Sequence, residues 1–443
     1  MIHSYFKIFS CLFIYLLFFG GLMKISVIGT GYVGLITGVG LALKGHKVVC
    51  IDNNKEKVDL INSKSPPIFE EGLQEAMDKT VPSDLSASFD LRKAVLDSDV
   101  SFICVGTPCD EQGKCDLTAV KTVTKEIASV LKEKNGFHVI VVKSTVIPST
   151  TEKIVLPLLK EFSGKKLGDF GLCMNPETLR EGFALQDFLN PDRIILGLKH
   201  EETKKVMNEV YRDFSSPKFF CSFSEAEMIK YASNSLLATK ISFINELGNI
   251  CKKLGINTYA VSKGVGLDKR ISPHFLDAGL GFGGSCFPKD VSALISQGNE
   301  LNVNTLLLDS VMKVNDEQPR IFLDLIKSKT KLKGKKVAVL GLAFKPGTDD
   351  VRESRSFPVI KMLLNEGAII TAHDPKAEEN MRKEIPEISY ADSAQKTVDA
   401  VDIVLILTGW PEFSSLDFKD KLVFDSRNIF KENKPVNYEG FLW

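Results

Sequence analysis

The sequence predicts an α/β protein in which two Rossmann-like, doubly wound domains are joined by a central helical region carrying one long helix. Three observations predict this. Short β-branched runs alternate with amphipathic stretches in the first half and again after about residue 330, the pattern of a parallel sheet covered by helices. A glycine-rich turn separates the first such run from the stretch that follows it. Between the two alternating regions an unbroken helical pattern runs from about Ser224 to Leu254, well beyond the usual helix of about 11–12 residues.

Taken in order, Ser26–Gly29, Val48–Asp52, Val100–Val105 and Val139–Lys143 are the clearest early strands, and their near-continuous apolar character fits burial on both faces. Arg193–Leu198 ends this texture. The long helix has Ser224 as candidate cap with Glu227 three residues on, and Gly255 as its stop. Helix then continues to about Lys329. Lys336–Leu340, Ile369–Ala372, Val401–Leu407 and Leu422–Asp425 are the strands of the second sheet. The expected division is 1–22 (apolar extension), 23–222 (dinucleotide-binding domain), 223–329 (helical middle) and 330–443 (second α/β domain).

The 443 residues exceed one ordinary core. With 56 basic and 56 acidic residues, no overall field favours nucleic acid or an anionic membrane. Nine cysteines occur without any CxxC pair, which argues against a zinc site or a disulfide framework and for a reducing, cytoplasmic setting. No metal is expected. The run Ile8–Leu22 is apolar apart from Ser10 and is followed directly by Met23 and the first strand. Three readings of it stay open: an upstream start, a signal, or an anchor that would bring membrane contact.

Gly29-Thr30-Gly31-Tyr32-Val33-Gly34 is a GxGxxG turn between strand and helix. Its glycines permit the tight turn, close approach of the backbone to a pyrophosphate, and helix–strand packing. Asp52 ends the second strand roughly 20 residues on, where a carboxylate meets the ribose hydroxyls. An acid there repels a 2′-phosphate, so NAD is expected rather than NADP. Lys57 lies one turn further. Thr107 and Thr145, in VGTP and STV turns after later strands, are placed toward the nicotinamide half, or are ordinary loop residues.

Gly281-Phe282-Gly283-Gly284-Ser285-Cys286-Phe287-Pro288-Lys289-Asp290 is the most informative segment. Its glycines let the backbone approach a ligand, and a neighbouring cation favours a thiolate at Cys286. A dinucleotide site combined with a cysteine nucleophile points to aldehyde-level oxidation through a thioester. Glu177 and Glu181, four apart around Arg180, share a face if helical. Lys230 and Asn234, four apart on the long helix, can point into one cleft or form an exposed polar face.

The motifs GTGYVG, VGTP, KSTV, NPETLREG, GFGGSCFPKD and GLAFKPGTDDVRES occur in one series. From Met23 to near the C-terminus the chain resembles the UDP-glucose/GDP-mannose dehydrogenases. The resemblance implies a four-electron oxidation of UDP-glucose to UDP-glucuronate using two NAD. GDP-mannose or UDP-N-acetylmannosamine are the alternative substrates, and a two-electron hydroxy-acid dehydrogenase is a more distant one. It implies Cys286 as nucleophile, Asp290 and Lys230 assisting water activation and oxyanions, Asn234 as their partner, and Glu177 as a base acting through water beside Thr145. Implied NAD contacts are Gly29, Gly31, Val33, Gly34, Asp52, Lys57, Thr107, Thr145, Glu181, Lys289 and Arg352. Implied substrate contacts are Thr178, Leu179, Arg180, Glu181, Lys230, Asn234, Phe275, Leu276, Asp277, Ala278, Gly279, Gly283 and Lys345. Leu267–Ile271 resembles a segment whose arginine, here Arg270, reaches a neighbouring subunit's site, which implies a homodimer. Thr178 departs from the family, which commonly has an aromatic there.

Overall fold

The computed structural model describes residues 22–110, 112–431 and 433–443. Apart from Leu22, the apolar run from Ile8 lies outside them. Among the described residues no helix is long and apolar enough to cross a membrane. The chain forms two compact units. One comprises the described residues up to Thr107 with Asp116–Lys230, the other Pro108–Cys115 with Tyr231–Trp443.

The first unit is built on eight strands: β1 (Lys24–Ile28), β2 (Lys47–Ile51), β3 (Leu85–Ser88), β4 (Val100–Ile103), β5 (Val139–Val142), β6 (Gly171–Met174), β7 (Ile194–Leu198) and β8 (Lys218–Cys221). They lie in the order β3-β2-β1-β4-β5-β6-β7-β8. The first six are mutually parallel, while β7 pairs antiparallel with β6 and carries β8 with it. Alternate residues feed two apolar layers. Ile25, Val27, Val139 and Val141 enter one, and Ile28, Ile103, Ile140 and Val142 the other, which is why these strands read as continuous apolar runs.

In the second unit β9 (Lys336–Leu340), β10 (Ile369–His373), β11 (Ser389–Tyr390), β12 (Ile403–Ile406), β13 (Leu422–Asp425) and β14 (Asn437–Gly440) form an all-parallel sheet. Its order, β11-β10-β9-β12-β13-β14, repeats that of the first six strands. The middle helices share its core. Phe322, from the helix Leu306–Lys329, packs edge-on against Phe441 with centroids 4.9 Å apart, in one cluster with Ile244 and Val337.

The long helix spans Phe223–Leu254, and its cap differs from the expected one. Ser222 Oγ accepts from the Glu225 amide (3.3 Å) while the Glu225 carboxylate accepts from the Ser222 amide (2.7 Å), a reciprocal capping box two residues earlier in the chain. Glu227 is drawn inward instead. It is fully buried and accepts from the amides of Ser149 (2.6 Å) and Thr151 (2.7 Å), and burial pushes its carboxyl up to about 7 despite those bonds. Replacing Ser222 by Ala should lower stability by about 1 kcal/mol, read as a shift in the denaturant midpoint, with no change expected for Ser224→Ala.

Candidate active site

At the end of β1 the chain turns through Gly29 with φ +93°. A Cβ on Gly34 would lie 1.8 Å from the Gly29 carbonyl oxygen, so turn and helix can meet only as glycines. Gly31 caps the helix Tyr32–Leu43 without any side-chain acceptor, and the space beside it is open. Asp52 is tied to this turn. Its Oδ2 accepts from the Thr30 amide (2.8 Å) and hydroxyl (2.5 Å), and its Oδ1 from the Asn54 amide (3.0 Å). Burial opposes ionisation, but these donors and the charge of Lys57 outweigh it and hold the carboxyl below its ordinary range. Val33 lies in the first turn of the same helix. The Thr107 hydroxyl donates to the Thr145 carbonyl (2.6 Å), joining the turns after β4 and β5.

Asn175–Gly182 is irregular rather than helical, so Glu177 and Glu181 share no helical face. Buried side chains pull the segment apart. Asn175 donates to the Ile195 carbonyl (2.9 Å) and accepts from Lys143 Nζ (3.1 Å) and the Tyr211 hydroxyl. Glu177 Oε1 lies 2.5 Å from Lys230 Nζ, with both side chains buried, and its Oε2 accepts from the Leu179 amide (2.7 Å). Burial opposes the charge on Glu177; Lys230, the Leu179 amide and Lys143 prevail and hold it below the carboxylate range. Arg180 turns to Asp187 (2.7 Å), and Thr178 is exposed.

In the second unit the Gly281–Asp290 segment is pressed against its surroundings. A Cβ on Gly283 would lie 2.1 Å from the Glu353 carbonyl oxygen. Asn315 clamps Phe282, accepting from its amide (2.7 Å) and donating to its carbonyl (3.1 Å), and the Gly284 amide donates to the Arg352 carbonyl (3.0 Å). Cys286 is exposed and caps the helix Phe287–Glu300, its Sγ 3.6 Å from Ser285 Oγ. A helix N-terminus favours a thiolate. One turn on, buried Asp290 accepts from Asn234 Nδ2 (2.6 Å) and pairs with Lys289 Nζ (2.5 Å). Burial opposes the Lys289 charge; Asp290 outweighs it and raises the ammonium above its ordinary value. Lys289 is therefore held on Asp290.

The Phe275–Gly279 loop is fixed through its backbone: Ser262 donates to the Leu276 carbonyl (2.5 Å), Tyr259 to the Ala278 carbonyl (2.8 Å), and the Gly279 amide to Asn245 (2.7 Å). Phe275 has φ +63°, and Asp277 lies between these anchors. Lys345 Nζ lies 5.5 Å from the Phe344 ring centroid. Arg352 forks onto Asp350 and Arg270 onto Asp268, the latter with its side chain 89% exposed.

Residues 23–215 match the NAD binding domain of the UDP-glucose/GDP-mannose dehydrogenase family, 224–317 its central domain and 338–432 its UDP binding domain. The chain belongs to this family. It is 42% identical over 431 residues to the UDP-glucose 6-dehydrogenase AglM of Haloferax volcanii, covering 95% of this chain and all of that one. It is 40% identical over 433 residues to the UDP-glucose 6-dehydrogenase of Rickettsia conorii, covering 95% and 98%. Among solved structures, a UDP-glucose dehydrogenase from Pyrobaculum islandicum superposes with a TM-score of 0.92 at 42% identity, covering 96% of this chain and 99% of that one.

Like its family, the chain is an NAD oxidoreductase, and the residues present fit that cofactor. The turn at Gly31 is open, no side chain caps the first amides of its helix, and Asp52 is kept ionised. Among the described residues no cluster of His, Cys, Asp or Glu could hold a metal ion. Several organising residues are not apparent from sequence patterns. Lys143 is buried at the end of β5, where burial lowers its ammonium. Glu70 accepts from the Gly182 (2.9 Å) and Ala184 (2.6 Å) amides and from the Tyr32 hydroxyl. The only sequence signals are single polar residues in apolar settings.

Lys230→Met should cost about 3–5 kcal/mol, because it leaves Glu177 buried without its cation. The ionised Glu177 stabilises the wild type fully above the ordinary carboxylate range, and this contribution is lost as pH falls below about 4. Denaturant unfolding should therefore show the gap between wild type and variant largest near neutral pH and shrinking in acid.

Proposed function

We propose that the chain oxidises UDP-glucose to UDP-glucuronate with two NAD. The observation that carries this reading is Cys286 at a helix start, with Asp290 held one turn later between Asn234 and Lys289. The relatives' names support the substrate. Overall, RCH₂OH, two NAD⁺ and water become RCOO⁻, two NADH and three protons. NAD, held by the Gly29–Gly34 turn, Val33, Asp52, Lys57, Thr107, Thr145, Glu181, Lys289 and Arg352, supplies the hydride acceptor for both oxidations.

Glu177, kept ionised, orients water beside Thr145 to take the proton from the C6 alcohol. Lys230 offers positive charge to the oxyanions that form. The Cys286 sulfur adds to the aldehyde carbon as a thiohemiacetal, whose oxidised form is the thioester. Asp290, positioned by Asn234, directs water onto that thioester, and the thiolate is released. Thr178–Glu181, Phe275–Gly279, Gly283 and Lys345 hold the sugar nucleotide.

The working form is a homodimer in the cytoplasm. Leu236, Phe243, Ile250 and Leu254 form an exposed apolar row at helical spacing on the long helix, which supports a partner helix there. Exposed Arg270 serves the neighbouring subunit's site.

Mass spectrometry of the product together with NADH counting should give two NADH per acid with UDP-glucose; one per product, or no turnover, overturns the scheme. Cys286→Ser should retain NAD binding and form no acid, whereas retained acid formation identifies Cys286 as structural. Arg270→Ala and Cys286→Ser subunits, each inactive alone, should regain about a quarter of wild-type activity after equal mixing and exchange, because one site of each mixed dimer is intact. No recovery on exchange rules out a shared site.

A further inference from the structure

Cys109 and Cys115 have no part in the proposed reaction, yet they lie together in the second unit. The chain leaves the first unit after Thr107 and contributes Pro108–Cys115 to the second. There Cys109 and Cys115 oppose each other in an isolated antiparallel bridge, their sulfurs 2.6 Å apart and both half-buried thiols. The hairpin between them is closed by its own bonds. The Asp110 amide donates to the Lys114 carbonyl (3.0 Å), and the Asp110 carboxylate accepts from the amides of Gln112 (3.0 Å) and Lys114 (2.8 Å). Opposed residues of an antiparallel pair have Cα atoms about 4.5–5.5 Å apart. A disulfide spans about 4.4–6.8 Å, so the two sulfurs can bond without moving the backbone.

The hairpin rests on the helix that starts behind Cys286. Gly113, with φ +77°, sits where a Cβ would lie 2.5 Å from the Ser292 carbonyl oxygen, and Lys114 Nζ lies 3.5 Å from Glu300. Cys115 Sγ is 3.9 Å from the hydroxyl of buried Tyr231. The hydrogen bond from Cys109 lowers the Cys115 thiol to about 7, with Lys289 adding to the effect against burial. The contact with Cys115, together with burial, pushes the Cys109 thiol up. One sulfur is thus the better nucleophile and the other the resolving thiol.

We propose that Cys109 and Cys115 are a modification site, a reversible dithiol that closes to an intrachain disulfide by exchange with a low-molecular-weight disulfide of the glutathione type. The Cys115 thiolate attacks one sulfur of RSSR, forming Cys115–S–SR and releasing RS⁻. The Cys109 thiol, losing its proton, then attacks the Cys115 sulfur and expels the second RS⁻. Two protein thiols are oxidised and one RSSR is reduced to two RSH. The closed ring removes the thiolate charge beside Lys289 and locks the hairpin against the helix Phe287–Glu300.

The full chain would be equilibrated in glutathione disulfide/glutathione mixtures, quenched with N-ethylmaleimide and mapped by peptide mass spectrometry, a readout independent of any substrate. The expected result is loss of two alkylatable thiols and a cross-linked Cys109–Cys115 peptide. Dithiothreitol should reverse it, and Cys115→Ser should leave Cys109 fully alkylated. Both residues remaining alkylated at the most oxidising ratio, or Cys115 carrying a lasting glutathione adduct beside an alkylated Cys109, overturns the proposal.

Discussion

A carboxylate at the end of the second strand, bonded to the amides that follow the first, organises both units. Asp52 ties down the turn after β1 through Thr30, and Asp374 ties down the turn after β9 through the amides of Leu342 (2.7 Å) and Ala343 (3.0 Å). The two turns share a left-handed glycine, Gly29 at φ +93° and Gly341 at φ +95°. What separates them is spare capacity. Asp374 also accepts from Lys376, Ala377 and the Trp410 indole, so its lone pairs are consumed within the protein. Among the described residues Asp52 accepts hydrogen bonds from two, Thr30 and Asn54, and is half-buried, so it keeps acceptor capacity to spare.

The buried charges follow the same logic at higher stakes. A carboxylate and an ammonium removed from water are tolerated only when each satisfies the other. Glu177 and Lys230 do so directly, while Lys143 leans on Asn175. The irregular Asn175–Gly182 segment is the consequence: its conformation serves buried side chains rather than a helical hydrogen-bond ladder.

Around Cys286 the demand is steric. Glycines allow carbonyl groups and an aromatic ring to close on the loop, and Asn315 fixes it through both hydrogen-bonding groups of Phe282. Only then does the helix start present its cysteine outward while Asp290 stays inside. The two residues, four apart, lie on one side of the helix: the sulfur is exposed at its open end, and the carboxylate a turn further in is covered and bonded to Asn234 and Lys289.

Strand runs, glycine turns, Asp52 and the cysteine loop were legible in the sequence because each depends on local geometry: period-two burial, a left-handed turn, or a residue at a fixed offset from a glycine. Tertiary structure decided the remainder. Glu227 looked like a cap residue and became a buried acceptor, because a neighbouring segment offered it two amides and Ser222 already closed the helix with Glu225. Glu177 and Glu181 looked like one helical face, and the pull of Lys230 and the Leu179 amide broke it. Cys109 and Cys115 had no recognisable spacing, yet a hairpin brought their sulfurs together. In each case a buried polar group took its partner from a distant or folded-back segment, and such pairings are set by packing in space rather than by any period along the chain.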